Sequence, residues 1–175
     1  MTPMTTLDRS EAAPYYFTYI DLVSGDVLGA MKAQATDLLS ELEAITDEQS
    51  LTRYAPGKWS LREVLGHLND TERLFVSRAF WFARGFDSPL PSFDQNVAMA
   101  ASAADARSWS SLIEEFDAVR RGSIAFFRSL PAEAWMRRGV ASGSPFTVRA
   151  LAYVGAGHVD HHMVIVRDRY LASLV

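Results

Sequence analysis

Cysteine is absent from all 175 residues. This removes disulfides, thiolate metal sites and cysteine nucleophiles together, so any thiol in the chemistry must arrive on a substrate or cosubstrate. Strong charge is missing too: 17 Lys and Arg stand against 21 Asp and Glu, a net −4. There is no basic run and no Lys/Arg cluster interleaved with aromatics, which weighs against nucleic acid as a partner. No apolar run approaches transmembrane length, so no membrane span is expected. The opening MTPMTTLDRSEAAPYYF has no long apolar core and carries acids early. It does not read as a signal peptide, and the cytoplasm is the expected compartment. GxGxxG, a P-loop, a GxSxG elbow and paired ExxH motifs are lacking as well. HExxH fails because Val159 follows His158, which removes the general base that such a protease needs. Alternating β-branched runs are also missing, so no strand is expected.

The composition that remains is 49% apolar and 22% charged, ordinary for one globular domain with a real core. Residues 1–20 read as an N-terminal arm and 21–175 as a single domain. Tyr15, Tyr16, Phe17 and Tyr19 are too aromatic for a free tail and are expected to dock on the domain or on a partner subunit. A first helix opens near Ser24 or Asp26, with Leu28, Met31, Ala35, Leu38, Leu42 and Ile45 at spacings of three and four. Pro56 and Gly57 punctuate its end. The second opens around Trp59, where Ser60 and Glu63 form a capping box. Its stripe is Leu61, Leu65, Leu68, Phe75 and Phe82, and Gly85 closes it.

Roughly twenty residues without a sustained period follow, and a connection that long suits a bundle crossover. The third helix covers about 107–129, on Trp109, Leu112, Phe116, Val119, Phe126 and Leu130 with Ser123 at the missing step. Pro131 stops it, and PAEAWMRRGVASGSPF reads as an irregular link. The fourth helix starts at Thr147 and carries Leu151, Val154, His158 and Ile165. The fold class is therefore all-α: an up-down-down-up four-helix bundle with a long crossover between helices 2 and 3. Trp59, Trp81, Trp109 and Trp135 read as core or interface residues.

Three of the four histidines fall in His158-Val159-Asp160-His161-His162. Residues four apart lie about 40° apart on a helix, one turn above each other. His158 and His162 can therefore aim both imidazoles at one point, the usual helical chelate for a divalent metal. His158 with His161 is the alternative on the same face; the 158/162 pair is preferred, with His161 on a flank or beside the ligands. His67 is the remaining histidine. At about 1.5 Å per residue it lies about 10 Å inside its helix, and His162 lies about 15 Å inside the end of its own. In an antiparallel pair these depths agree to within about a turn. Three imidazoles leave open positions, as catalytic metal sites do.

Asp70 and Glu72 follow His67 by three and five residues. Glu72 falls on the apolar seam, where an unpaired carboxylate is costly. It reads foremost as a buried ion pair with an arginine such as Arg78 or Arg120. It is also the nearest candidate for a general base or for a group orienting a ligand imidazole. Asp160 points about 200° from His158 and is expected to face solvent.

The segments YAPGKWSLREVLGHLNDTERLFVSRA, FDQN, LIEEFDAVRRGSIAFFRSLP and GHVDHHMVIVRDRYL together resemble the DinB/YfiT-like family of metal-dependent four-helix-bundle proteins. The likeness runs from about Tyr19 to Tyr170. It implies the up-down-down-up bundle and a metal triad at His67, His158 and His162; by their positions in the sequence, His161, Asp70 and Arg78 are the residues expected beside it. It implies one divalent ion per chain, zinc or nickel first and iron or manganese next, and a homodimer. Relatives include transferases and isomerases that use thiols such as bacillithiol or mycothiol, and metal-dependent hydrolases. The leading expectation is a metal-dependent transferase using a low-molecular-weight thiol. A hydrolase acting through metal-activated water and a non-catalytic stress-response module are the alternatives.

Overall fold

A computed structural model describes residues 6–173. The first five residues of the expected arm and the last two of the expected domain lie outside the described residues. The helices are α1 Phe17–Ile20, α2 Val27–Glu43, α3 Leu61–Ala83, α4 Gln95–Ser102, α5 Trp109–Arg128 and α6 Val148–Ile165. A hairpin joins β1 Arg138–Ala141 to β2 Ser144–Thr147. The molecule is thus mostly helical, and α2, α3, α5 and α6 pack together as a bundle. Each of the four begins at a side chain that accepts an otherwise unpaired backbone N–H: Asp26, Ser60, Ser108 and Thr147. Ser60 and Glu63 close the capping box.

Two stretches expected to be irregular are not. The crossover contains α4, capped by Asp94. The link after Pro131 contains the hairpin, whose two turn residues, Ser142 and Gly143, both have positive φ. That is the backbone a tight hairpin turn demands, and the Ser-Gly pair was its local signal. β1 lies close against α3: a Cβ on Gly139 would sit 2.0 Å from the Phe82 ring. The hairpin also receives the N-terminal segment. Glu11 is buried and accepts from Thr147 and Arg149, while the Tyr16 ring meets Phe146 edge-on at 4.6 Å.

The helix contacts follow consistent orders. Asn69–Leu112, Arg73–Glu115 and Phe80–Phe126 climb α3 and α5 together. His67 meets His162 and Phe75 meets His158, so α3 and α6 are matched in opposite orders. Gln34–Ala156 and Glu41–Arg167 climb α2 and α6 together.

The core divides into two apolar clusters. One surrounds the hairpin end and includes Met31, Phe75, Ile124 and Ala156. The other lies towards the start of α3 and includes Leu38, Leu68, Phe116 and Val159. Between them sits a polar layer. Arg120 is fully buried, 2.9 Å from Glu72, and donates to Gln34 at 2.8 Å. Gln34 in turn donates to the Ala156 carbonyl at 3.0 Å. These positions modify the expected stripes. Gln34 rather than Ala35 is buried on α2, and Arg120 rather than Val119 on α5.

Removing one partner of a buried ion pair strands the other charge. Arg120→Met is therefore expected to lose about 3–5 kcal/mol of stability in urea denaturation. The Glu72→Met/Arg120→Met double variant should lose clearly less than that single substitution, because no charge is left unpaired. A double-variant loss equal to the sum of the single losses contradicts the coupling.

Candidate metal centre

His67 stands two turns into α3, and His158 and His162 stand one turn apart on α6. Because the two helices meet in opposite orders, the three side chains share one layer of the bundle. Nε2 of His67 lies 3.2 Å from Nε2 of His158, which lies 3.2 Å from Nε2 of His162. All the candidate ligand atoms fall within 4.8 Å of one another. Nitrogens bound to one ion at about 2.0–2.1 Å with tetrahedral angles would be about 3.3 Å apart. The spacing is thus that of a donor set able to hold a metal.

Proton placement supports the same geometry. Thr71 stands one turn after His67 and donates to the His67 carbonyl at 2.7 Å. Its Oγ1 lies 3.4 Å from His158 Nδ1, placed to accept an N–H from that nitrogen. A proton on Nδ1 leaves the Nε2 lone pair free to bind a metal. Burial lowers the His67 imidazole to about 4. Burial, aided by the neighbouring His67 and His161, lowers His162 to about 3. His158 is held well below its usual value, first by burial and then by the other three histidines. All three imidazoles are neutral at neutral pH, the form that ligates.

Aromatic rings enclose the cluster. Trp59 packs on His67 at 5.0 Å, while Phe75 and Tyr19 meet His158 edge-on at 5.8 and 5.3 Å. Tyr19 reaches it because residue 157 is glycine: a Cβ there would lie 2.0 Å from the Tyr19 carbonyl oxygen. The glycine of the GHVDHH segment therefore admits the N-terminal segment to the site. Past Ile165 the chain widens into a π turn, where the Tyr170 hydroxyl donates to the Trp59 carbonyl at 2.6 Å. Trp59 is thereby held against His67. Next to His162 a cleft of about 240 Å³ opens between the Tyr54–Trp59 turn, the start of α4 and the end of α6. A larger groove of about 390 Å³ lies along α2 and is lined by no imidazole.

The other expected residues separate from the triad. His161 is exposed, its ring 5.4 Å from those of Tyr19 and His162. Asp70 is half-buried at the α3–α5 seam, 3.9 Å from Arg73, which pairs with Glu115; burial raises its carboxyl. Arg78, three turns beyond His67 on α3, donates to the Pro91 carbonyl and the Ser142 hydroxyl and so ties the crossover to the hairpin. Glu72 faces Arg120 in the polar layer. Asp160 does not face solvent as expected. It is half-buried and shares the α2 groove with Gln34, and burial raises its carboxyl. The direction opposite His158 on α6 points at α2, the second neighbour that a bundle helix must have. Thr71 and Tyr19 are the contacts of His158 that sequence reading passed over. Thr71 had a signal in its four-residue spacing from His67; Tyr19 had none beyond its aromatic surroundings.

These features define a helical bundle with a buried three-imidazole cluster. The chain belongs to the DinB superfamily, whose family model matches residues 30–166. Among solved structures it is similar to YfiT from Bacillus subtilis, described as a probable metal-dependent hydrolase with an unusual four-helix bundle topology. The TM-score is 0.69 at 18% identity, over 96% of this chain and 90% of that one. It is also similar to a mycothiol-dependent maleylpyruvate isomerase, with TM-score 0.67 at 12% identity, over 79% of this chain. The match spans 58% of that protein's length. At these identities the likeness is one of fold. No curated protein matches the sequence. No helix among the described residues is long and apolar enough to cross a membrane.

The lowered imidazole values fix the sign of a pH effect in the metal-free protein. Folded His67 and His162 titrate at about 4 and about 3, below the unfolded value of about 6.5. Between those limits the unfolded chain binds more protons, so acid favours unfolding. The stability contribution is full above about pH 6.5 and is lost as pH falls towards 4 and 3. Urea midpoints of metal-free protein should drop between pH 7 and 4.5, and a His67→Gln/His162→Gln variant should drop less. Equal slopes for the two proteins would rule the imidazoles out as the cause.

Proposed function

We propose that the chain is a divalent-metal-dependent enzyme, with the ion held by His67, His158 and His162, that transfers groups with a low-molecular-weight thiol. The observation that carries this reading is the convergence of three neutral Nε2 atoms beside a cleft. Three protein ligands leave positions for a small molecule. An ion held there would act as a Lewis acid and lower the pKa of a thiol or water at its open position. The chain's own part is to orient and dry the site. Thr71 favours the Nδ1–H form of His158, and Tyr19, Trp59 and Phe75 shield the imidazoles. With no cysteine in the chain, the thiol comes from the cosubstrate. The fold likeness to a mycothiol-dependent isomerase supports that class.

Zinc or nickel is the first choice of ion, with iron or manganese next; imidazole ligation suits zinc, nickel and iron. One ion per chain, a homodimer and a cytoplasmic location complete the proposal. So does the division into an arm at 1–20 and one domain at 21–175. The up-down-down-up order of the bundle belongs with it, supported by the contact orders of the four long helices.

The second reading, hydrolysis by metal-activated water, draws on the description of YfiT and gives Glu72 the part of base. Its pairing with Arg120 supports a structural part instead. A Glu72→Gln protein that keeps its hydrolysis rate removes Glu72 from that mechanism.

Purified protein should carry about one metal per chain by elemental mass spectrometry. His67→Ala and His158→Ala should each lower that content strongly, and His161→Ala far less. Loss with His161→Ala but not with His162→Ala overturns the ligand assignment. The metal-loaded protein should turn over with one member of a panel of cellular low-molecular-weight thiols and electrophiles. Metal binding without turnover across the panel sinks the transferase reading and favours a non-catalytic metal-binding stress-response module.

A further inference from the structure

The cleft beside His162 has one-sided chemistry. Its walls include Lys58, Trp59, Gln95, Asn96, Ile165 and Tyr170. That set holds one ammonium, two carboxamides and an apolar wall, and no carboxylate lines the cleft. The Tyr170 hydroxyl donates to the Trp59 carbonyl. Among the described residues, no acid pairs with Lys58, and no protein group takes the side-chain amides of Gln95 or Asn96. These three exposed side chains line the same cleft as the His162 imidazole.

Their placement is built into the local backbone. Gly57 has φ +74°, which glycine adopts at little cost. The following Lys58 N–H donates to the Ala55 carbonyl at 3.2 Å, closing the turn that sets Lys58 at the cleft. On the opposite wall, Asp94 accepts from the backbone N–H groups of Asn96 and Val97 and so caps α4. The acid of the FDQN segment is committed to that cap, and the two residues after it border the cleft. The volume, about 240 Å³, is below the ~300–1,000 Å³ of drug-sized ligand pockets, which suits a small molecule.

We propose that this cleft selects small molecules bearing a carboxylate. The carboxylate meets Lys58 and the carboxamides of Gln95 and Asn96. The apolar body lies along Trp59 and Ile165, and the reacting group faces the three imidazoles. The inference rests on the metal-centre reading above and narrows its substrate class. Lys58 acts here as a specificity residue, discriminating a charged ligand from its neutral isostere.

The test uses ω-mercaptoalkanoates from 3-mercaptopropanoate to 6-mercaptohexanoate, each against its primary amide, with zinc-loaded wild-type and Lys58→Met proteins. NMR shifts of the Gln95 and Asn96 carboxamides and the Trp59 indole N–H give the affinities. The best-fitting acid should bind about fivefold more tightly than its amide to the wild type, and the preference should fall to about one in Lys58→Met. The proposal is overturned if no acid is preferred, if the preference survives Lys58→Met, or if the shifts arise outside the cleft. A cobalt-loaded sample reports separately, through its thiolate-to-metal absorption, whether sulfur reaches the ion. Without that band the thiol reading fails; hexanoate against hexanamide, measured by the same NMR shifts, then decides the cleft proposal.

Discussion

A buried arginine sets the register of this bundle. Arg120 on α5 reaches Glu72 on α3 and Gln34 on α2, and Gln34 reaches the Ala156 carbonyl on α6. One connected polar layer therefore touches all four long helices. Each helix passes from one apolar cluster to the other at this level: Met31 to Leu38, Phe75 to Leu68, Ile124 to Phe116 and Ala156 to Val159. Apolar stripes alone tolerate sliding by a turn, since leucine meets leucine either way. A slide here would leave an arginine and a glutamate buried without partners, at a cost of several kcal/mol. The meeting of the three imidazoles depends on that register. Ala156 precedes His158 by two residues and Glu72 follows His67 by five, so a one-turn slip of α3 against α6 would move His67 about 5 Å from the other imidazoles.

The readable part of the fold was the part carried by periodicity and caps. Ser60 with Glu63 and Thr147 mark helix starts that were plain in the sequence, Asp26 was one of two candidates for the first, and the α3 stripe Leu61, Leu65, Leu68, Phe75 and Phe82 is wholly buried. The polar layer was legible only in part. Glu72 stood out on its stripe and Arg120 was one of its two suggested partners. Gln34 was hidden, because a glutamine beside an alanine at helical spacing gives no reason to choose the polar residue for the core. The hairpin was hidden for a different reason. Its strands have four residues each, too short for alternation to register, and half of those residues are Ala, Ser, Gly or Pro. Asp160 was misplaced because a helical wheel with one buried face assumes one neighbour, whereas α6 packs on both α3 and α2.

The histidines followed the same division. The one-turn spacing of His158 and His162 is a property of a single helix and could be read locally. Their meeting with His67 depends on how two helices approach, which the sequence suggested only through matched depths. Contacts from distant segments were beyond that reading. Tyr19 comes from the N-terminal segment, and the reason it reaches His158 is the missing side chain at Gly157. A glycine in mid-helix costs roughly 0.5–1 kcal/mol relative to alanine. Here the cost is offset by backbone contact that no other residue permits.

Burying three imidazoles has its own consequence. Each is pushed towards neutrality by desolvation, and neutral imidazoles still need partners for their nitrogens. For His158, Thr71 serves Nδ1 while the Nε2 atoms turn towards one another. Each neutral ring has one donor and one acceptor, so with its proton on Nδ1 the His158 ring presents an acceptor Nε2 to the other two imidazoles. An ion bound by these nitrogens would add its binding energy to the stability of this layer.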